Sequence, residues 1–161
     1  MTRRSIRRYK EGKIPEETIT TLLKAAMAAP SAHNKQPWRF IVVDDPNILS
    51  KVPEYHPYSK MLPNASHAIV VLGDTHVQET DFWVHDCSAA TENLLIAAHD
   101  LGQRAVWLGD HPHEDRIEET KKLFGVPDHV VPLCIVSLGY PQEPKPPREN
   151  YDPAKIHRNH W

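Results

Sequence analysis

The chain has 161 residues, of which 40% are hydrophobic, 25% charged and 7% aromatic, and we expect one globular domain over residues 1–161. This composition excludes collagen-like, intrinsically disordered and disulfide-scaffold proteins. Lys and Arg number 19 against 21 Asp and Glu, so the chain as a whole offers no positive field for binding nucleic acid.

Several features favour a cytoplasmic protein. The basic stretch Met1–Arg8 is not followed by an apolar segment, so it is unlike a secretory signal. No apolar run approaches the roughly 20 residues that span a bilayer. Cys87 and Cys134 lie far apart in separate apolar runs, which favours buried, reduced thiols over a redox pair or a metal knuckle. We therefore expect contact with neither membranes nor nucleic acids.

The first half of the chain predicts one helix and two strands. A proline and two glutamates at 15–17 open a helix to residue 27, whose apolar residues recur at i, i+3, i+4, i+7 and i+8. Residues 39–43 predict a strand, and residues 51–66 a loop with a short helical piece. The continuous apolar run at 68–72 predicts a central strand that is buried on both faces.

The second half predicts two helices that alternate with two strands. A long alanine-rich helix is expected over about 81–101 and an amphipathic helix over 114–124, each ended by a glycine. Strands are expected at 105–108 and 130–138. The order of elements predicts an α+β domain with layered α/β packing. Neither a Gly-x-Gly-x-x-Gly segment nor a P-loop is found, so a Rossmann dinucleotide site and a P-loop are not supported.

Residues 141–161 differ from the rest of the chain because they contain five prolines. Such a segment can form neither a helix nor an interior strand, so an extended arm is predicted. The arm ends in Trp161, whose large apolar surface is costly to leave in water. We therefore expect the arm to dock on another surface, such as a second subunit.

Two segments are candidates for binding chemistry. Arg3–Arg8 holds four arginines and Ser5, a set that suits the several oxygens of a phosphate monoester; a solvated basic tail is the alternative. Ala29–Trp38 is dense in small polar side chains between two prolines. Its Asn and Gln amides could read the edge of a heterocycle, although a turn rich in Asn and Pro is the alternative.

Together these two segments resemble the beginning of the FMN-dependent nitroreductase family. The resemblance continues through Tyr58–Leu62, Asp86–Leu95 and Gly102–Gly109, and it ends in the proline-rich tail with its His-x-x-x-Trp. It covers nearly the whole chain and is closest to the short members of the family. It implies a nitroreductase-like fold, with a mainly antiparallel or mixed central sheet flanked by helices. It also implies a homodimer with FMN at the interface, in which the C-terminal arms are exchanged.

The resemblance assigns FMN-binding roles to residues at both ends of the chain. Arg3 and Ser5 match residues that hold the phosphate, with Arg4 near the ribityl chain. Arg7 matches a basic residue beside N1 and the C2 carbonyl of the isoalloxazine ring, and Lys60 a second basic group there. In the arm, the phosphate clamp would be completed by Lys145 and Arg148, with Lys155 as a competing candidate.

The resemblance also assigns roles to two inner segments. Ser31, Ala32 and Asn34, supported by Pro30 and Gln36, match a segment that reaches the flavin of the partner subunit. The stretch Trp107, Leu108 and Gly109 matches backbone that faces N5 and O4. No protein side chain is expected to act as acid or base, since the flavin carries the chemistry and the protein tunes it. A fixed cation such as Arg7 favours the reduced, negatively charged ring.

The resulting hypothesis is an FMN-dependent oxidoreductase that uses NAD(P)H to reduce a nitroaromatic, a quinone or a similar small electrophile. One alternative is a flavin-binding carrier, sensor or electron-transfer protein without turnover. Another is a small module that binds phosphate or nucleic acid through the N-terminal arginines. No metal site is expected, because His111 and His113 are split by a proline and lack a matched third ligand.

Overall fold

The computed structural model of the protein describes residues 3–142 and 145–161. Within these residues, four helices alternate with five strands, joined by short turns and 3₁₀ segments. In chain order they are β1 (Tyr9–Lys10), α1 (Glu16–Met27), β2 (Trp38–Val43), α2 (Pro46–Leu49), β3 (His67–Asp74), α3 (Phe82–Asp100), β4 (Arg104–Gly109), α4 (Glu114–Phe124) and β5 (Val130–Pro141).

The sheet is built around β5, the longest strand. Strand β3 pairs with one edge of β5 and β4 with the other, while β2 lies beyond β3. The two residues of β1 pair with the end of β5, where Tyr9 is opposite Pro141. All these pairings are antiparallel. This confirms the predicted α+β fold with a mainly antiparallel sheet.

Apolar side chains cover both faces of the sheet. On one face, α1 and α3 pack against inward-pointing residues such as Ile69 and Val71. On the other face, Val70 and Leu72 belong to a second core with residues from α2 and from the turns that follow it. Every residue of β3 is buried, so the predicted central strand is confirmed. Alternating side chains of one strand thus serve two separate cores.

Most element boundaries agree with the sequence. The four-residue helix α2 lies in a stretch for which no element was predicted, and the largest difference in a boundary concerns the end of β5. The sequence predicted that this strand ends at residue 138, whereas it continues to Pro141. The extension exists because β1 pairs with Tyr140 and Pro141. A two-residue strand has no periodicity of its own, so neither β1 nor the extension could be predicted.

The C-terminal arm is extended, as predicted. Over residues 145–161 its only regular element is one 3₁₀ turn at Pro153–Lys155. Trp161 is fully exposed, and its ring stacks on His157 with centroids 4.3 Å apart. Exchange of the arm between subunits stays a prediction. No helix among the described residues is long and apolar enough to cross a membrane.

Candidate functional site

The N-terminal arginines belong to a segment that is anchored to the sheet. Ile6 is 1% exposed, and its N–H donates to the carbonyl of Ala105 in β4 over 3.2 Å. Tyr9 is also buried; its hydroxyl donates to the carbonyl of Ile6 over 3.0 Å, and burial raises the pKa of this phenol to about 12. Arg3 and Arg7, in contrast, are exposed. The segment is therefore not a free basic tail, because the sheet fixes where its cations lie.

These cations meet those of the C-terminal arm around one cavity of about 310 Å³. Five of its seven lining residues are cationic, and the remaining two, Ser5 and Asn150, are neutral. Arg4 donates to the carbonyl of Pro146, which joins the two segments directly. The lining residues are Arg3, Arg4, Ser5, Arg7, Lys145, Arg148 and Asn150.

This concentration of charge fits an anion with several oxygens. The chain carries a net charge of −2, so a cavity with five cations is a local exception rather than a reflection of the composition. Guanidinium groups donate forked hydrogen bonds that match phosphate oxygens. Arg3 also lies 3.5 Å from the carboxylate of Glu92, but both side chains are well exposed and such pairs contribute little. We refer to this feature as the cationic cavity.

Three cations of the arm were candidates for completing the phosphate-binding set, and they differ in position. Lys145 and Arg148 line the cationic cavity. Lys155, the competing candidate, is not among its lining residues, and its Nζ lies 3.7 Å from the carboxylate of Asp152. The geometry therefore favours the first two residues.

A second cavity of about 520 Å³ adjoins the first and shares Arg7 with it. Its lining combines the aromatic ring of Tyr58, the amide of Asn64 and the cation of Lys60 with apolar surface from Met61 and Pro57. We refer to the two adjoining cavities together as the cleft, which has a cationic part and a part of mixed aromatic and polar lining. This brings Lys60 to the same cleft as the N-terminal arginines.

The end of β4 is held by side chains that were not predicted. The carbonyl of Gly109 accepts hydrogen bonds from Nε2 of His56 over 3.1 Å and from Nη1 of Arg116 over 2.9 Å. Nδ1 of His56 in turn accepts from the N–H of Tyr58 over 3.3 Å. These bonds require the neutral tautomer with its proton on Nε2, and burial lowers the pKa of this imidazole. Two donors thus fix the peptide at Gly109.

Asp110 follows directly and is fully buried. One carboxyl oxygen accepts from the hydroxyl of Thr120 over 3.2 Å, and Thr120 also contacts the hydroxyl of Tyr55 at 2.9 Å. Burial raises the pKa of Asp110 to about 7. Its other oxygen lies 3.9 Å from Nε2 of His56, which is too long for a hydrogen bond. Because burial favours the neutral imidazole, this contact is not an ion pair.

Nothing in the sequence pointed to His56, Asp110 or Arg116. They come from three different loops and helices, and no motif spacing connects them. Only the apolar surroundings of residue 110 at the end of a predicted strand could have indicated a buried carboxyl. We refer to His56, Asp110, Arg116 and Thr120 as the side-chain cluster next to Gly109.

The stretch at 107–109 offers mainly its backbone. Leu108 is 2% exposed and its side chain belongs to the core, while Trp107 is half-buried and packs against the helical face of the sheet. None of these three residues is among the lining residues of the two cavities, so a role of this stretch in contacting FMN stays a prediction.

The loop at 31–36 is preformed but lies outside both cavities. Residues 32–34 form a 3₁₀ turn, and Asn34 and Gln36 have φ of 56° and 50°. Ser31 accepts from the N–H of Gln36 over 3.0 Å, and the amide of Gln36 donates to Asn34 over 2.8 Å. The N–H of Ala32 donates to Asp86 on α3 over 2.9 Å. Residues 31–36 and the exposed Pro30 do not line the cleft of their own chain.

Comparisons with known proteins cover almost the whole chain. The model of the nitroreductase family matches residues 1–62 and 49–140. A protein of Methanothermobacter thermautotrophicus, provisionally named an NADH dehydrogenase/NAD(P)H nitroreductase, is 48% identical over 161 residues, which cover 99% of this chain and 84% of that protein.

Solved structures agree with this result. One from Parabacteroides distasonis with the same provisional name has a TM-score of 0.96 and 42% identity, covering 99% of this chain and 95% of that one. An FMN-dependent nitroreductase from Clostridium difficile R20291 has a TM-score of 0.92 and 32% identity, covering 99% and 96% of the two chains.

Proposed function

Because the chain belongs to the nitroreductase family, we propose that it is an FMN-dependent oxidoreductase that uses NAD(P)H to reduce a small electrophile. FMN bound in the cleft would supply the redox chemistry, accepting a hydride and passing it on to the second substrate. Nitroaromatics and quinones are the acceptor classes that we propose. The residues of this chain would bind the cofactor, orient it and stabilise charge.

The observation that carries the proposal is the cleft in which two cavities share Arg7. FMN has a phosphate at one end and a planar ring system at the other. The cationic cavity provides five positive side chains for the phosphate. The adjoining cavity offers an aromatic ring, an amide and a second cation in Lys60, which suit a polar heterocycle. The donor set and its division into two ends therefore fit this cofactor.

Arg7 is proposed to have a role beyond holding the phosphate. It lines both cavities, so its guanidinium can lie beside the ring system while the remaining arginines hold the phosphate. A positive charge in this position stabilises electron density that accumulates on the ring during reduction. Since a guanidinium keeps its charge under all ordinary conditions, we expect this stabilisation to be independent of pH.

We further propose a homodimer in which each subunit completes the cleft of the other. The loop at 31–36 is polar and internally hydrogen-bonded but does not line the cleft of its own chain, so a contact with a cofactor would have to be made in the partner. A partner subunit would also cover the apolar side chains of the arm, since Tyr151, Ile156 and Trp161 are 74%, 53% and 101% exposed. The free cysteines Cys87 and Cys134 fit the reducing cytoplasm, where we propose that the protein works.

An anaerobic titration tests the proposed activity. Purified protein should be yellow, release FMN on denaturation, and lose its flavin absorbance when NADH or NADPH is added without oxygen. Addition of a quinone or a nitroaromatic should restore that absorbance. Bound flavin that is not reduced by either nucleotide would instead indicate a carrier or a sensor. Protein without flavin, which also fails to bind added FMN, would contradict the proposal.

A further inference from the structure

A cluster of three potential metal ligands lies where β3 ends and β5 begins. Asp74, His76 and His129 each offer one ligand atom, and these atoms lie within 4.8 Å of one another. The two imidazole rings are stacked, with centroids 4.2 Å apart and planes 8° from parallel. None of these residues lines the cleft described above.

The backbone ties the two segments that carry these side chains. Thr75 donates to the carbonyl of His129 twice, from its N–H over 2.9 Å and from its hydroxyl over 2.8 Å. Next to this contact, Asp74 pairs with Val130 in the register of β3 and β5. The three ligands are therefore held close together by main-chain structure, and they do not depend on a loop closing around them.

The carboxylate of Asp74 is oriented by its own partners. This residue is 8% exposed. One oxygen accepts from Nη2 of Arg39 over 2.8 Å, and the other from the N–H of His76 over 3.1 Å. A carboxylate has about four acceptor positions, so these two bonds leave others for a cation. Carboxylates that bind metals are commonly held in this way by further hydrogen bonds.

The two imidazoles have no such partners. Within residues 3–142 and 145–161, the ring nitrogens of His76 and His129 make no hydrogen bond, and their stacked contact is with each other. His76 is exposed and His129 half-buried, so solvent and dissolved ions can reach them. Two neighbouring imidazoles with free nitrogens beside an oriented carboxylate form a donor set of the kind that binds transition metals.

We propose that Asp74, His76 and His129 bind one divalent transition-metal ion, with Zn²⁺ as the reference ion and water completing its coordination. Imidazole nitrogens favour Zn²⁺ and its neighbours over Mg²⁺ and Ca²⁺, which prefer oxygen ligands. Tetrahedral ligands about 2.0–2.1 Å from zinc are about 3.4 Å apart. The exposed ring of His76 therefore has to turn out of the stack, since ring nitrogens bind metals in the plane of the ring.

An ion at this position links the end of β3 to the beginning of β5. It would bind the folded chain, in which the three ligands are together, far better than the unfolded chain. By mass action it then raises the melting temperature as its concentration increases. This effect is separate from the proposed redox activity, because it requires neither FMN nor NAD(P)H.

The test uses the full-length protein as purified, after dialysis against a chelator and then against buffer alone. Calorimetric titration with ZnCl₂ should give one site per chain, and the melting temperature should rise with ZnCl₂ but not with equal MgCl₂. His76→Gln and His129→Gln should each weaken Zn²⁺ binding at least tenfold. His113→Gln is the matched control, because it removes an exposed histidine from the alternative pair with His111.

If the variant at the half-buried His129 does not fold, the test rests on the variant at His76. The exposed ring of His76 stacks on His129 and makes no hydrogen bond within the described residues. Unchanged Zn²⁺ affinity in His76→Gln would overturn the proposal. An equal loss in His113→Gln would also overturn it, because binding would then be shared among surface histidines. The same holds if the wild-type protein binds no Zn²⁺. Since Zn²⁺ binding is measured directly, failure of the proposed redox activity leaves this result unaffected.

Discussion

The two halves of the cationic cavity differ in how the chain positions them. On the N-terminal side, Arg3 and Arg7 flank Ile6, which is 1% exposed and hydrogen-bonded to β4. On the arm side, Lys145 and Arg148 belong to an extended segment whose residues are exposed. The fold of one chain therefore fixes the first half. The second half is joined to it through the hydrogen bond from Arg4 to the carbonyl of Pro146, and we propose that a ligand or a partner subunit adds to its support. Four experiments test this difference between the halves, and a fifth tests the buried Asp110.

The largest effect is expected from removing residues 150–161, which leaves Lys145 and Arg148 in place. If the arm is held by a partner subunit, the truncated protein should lose both dimerisation and bound FMN, because the proposed site spans the interface. Light scattering combined with flavin absorbance measures both properties. A truncated protein that stays dimeric and fully yellow would show that the arm contributes nothing to the site.

Ile6→Ala tests the anchor of the N-terminal half. Truncating a fully buried isoleucine should lower the free energy of unfolding by about 2–5 kcal/mol and weaken FMN binding, because the neighbouring arginines lose their support. Urea unfolding at one protein concentration gives the first quantity and fluorescence titration with FMN the second. Val42→Ala, at a 38% exposed position in β2, is the control and should change stability by less than about 0.5 kcal/mol. If Ile6→Ala and Val42→Ala changed stability and FMN binding equally, Ile6 would not anchor the N-terminal half, and the difference between the two halves would disappear.

Arg3→Ala and Arg148→Ala compare the halves directly. Loss of Arg3 should weaken FMN binding by about 1.5–3 kcal/mol, as for a charge-assisted hydrogen bond. Loss of Arg148 should weaken FMN binding by only about 1 kcal/mol, because the entropy lost when the arm is ordered offsets part of what Arg148 contributes to binding. Arg158→Ala, in the arm but outside the cationic cavity, should bind FMN normally. A larger effect at Arg148 than at Arg3, measured by titration of the FMN-free proteins, would reverse the comparison.

The stability of the folded protein is expected to depend on pH through Asp110, in the side-chain cluster next to Gly109, and not through the arginines. The folded state holds the proton of Asp110 up to about pH 7, whereas an unfolded carboxyl loses it near pH 4. The contribution of Asp110 to stability therefore falls as the pH rises between these values. The side chain in Asp110→Asn cannot ionise. From pH 5 to pH 8, the free energy of unfolding of this variant should therefore rise by about 2 kcal/mol relative to that of the wild type.

Urea unfolding at several pH values measures this difference. His56 is present in both proteins, so the comparison measures the effect of replacing Asp110 together with any change that this replacement causes at His56. Asp128→Asn, which changes an exposed carboxyl, should follow the wild type at every pH. A difference between Asp110→Asn and the wild type that does not vary with pH would show that Asp110 is charged in the folded protein.

The smallest effect is expected from Arg7→Gln, which probes the second role of the N-terminal half. If this cation stabilises the reduced cofactor by roughly 1 kcal/mol, its loss lowers the midpoint potential by about 20 mV for a two-electron couple. Equilibration with reference dyes measures the potential, and Arg4→Gln is the control because Arg4 lines only the cationic cavity. An unchanged potential in Arg7→Gln would restrict Arg7 to binding.

The sequence predicted those parts of the fold that local chemistry determines. Helix α4 was predicted over 114–124 and has these bounds, because glutamate and aspartate at its start and Gly125 at its end are local signals. The short strand β1 was missed because its two residues pair only through tertiary structure. The resemblance supplied the arginines and the arm cations, and the structure places them around one cavity.

Other parts of the site could not be predicted because they depend on residues that meet only after folding. His56 and Arg116 donate to the same carbonyl of Gly109, yet one precedes and the other follows β4 in the chain, and no motif connects them. Asp74 and His76 are likewise separated from His129 in the sequence by the whole length of α3, β4 and α4. The chain has 11 histidines, and their positions in the sequence give no information on which of them are neighbours in the fold.

The position of β5 in the sheet has a consequence for the order in which the protein can fold. This strand lies between β3 and β4 and also receives β1, yet all of these strands are synthesised before it. Until β5 is available, β4 has no strand to pair with in the sheet, and the apolar face of α3 has only part of its final contacts. A ribosome-bound chain that ends before residue 130 should therefore expose apolar surface and bind chaperones, whereas one that includes β5 can close its core.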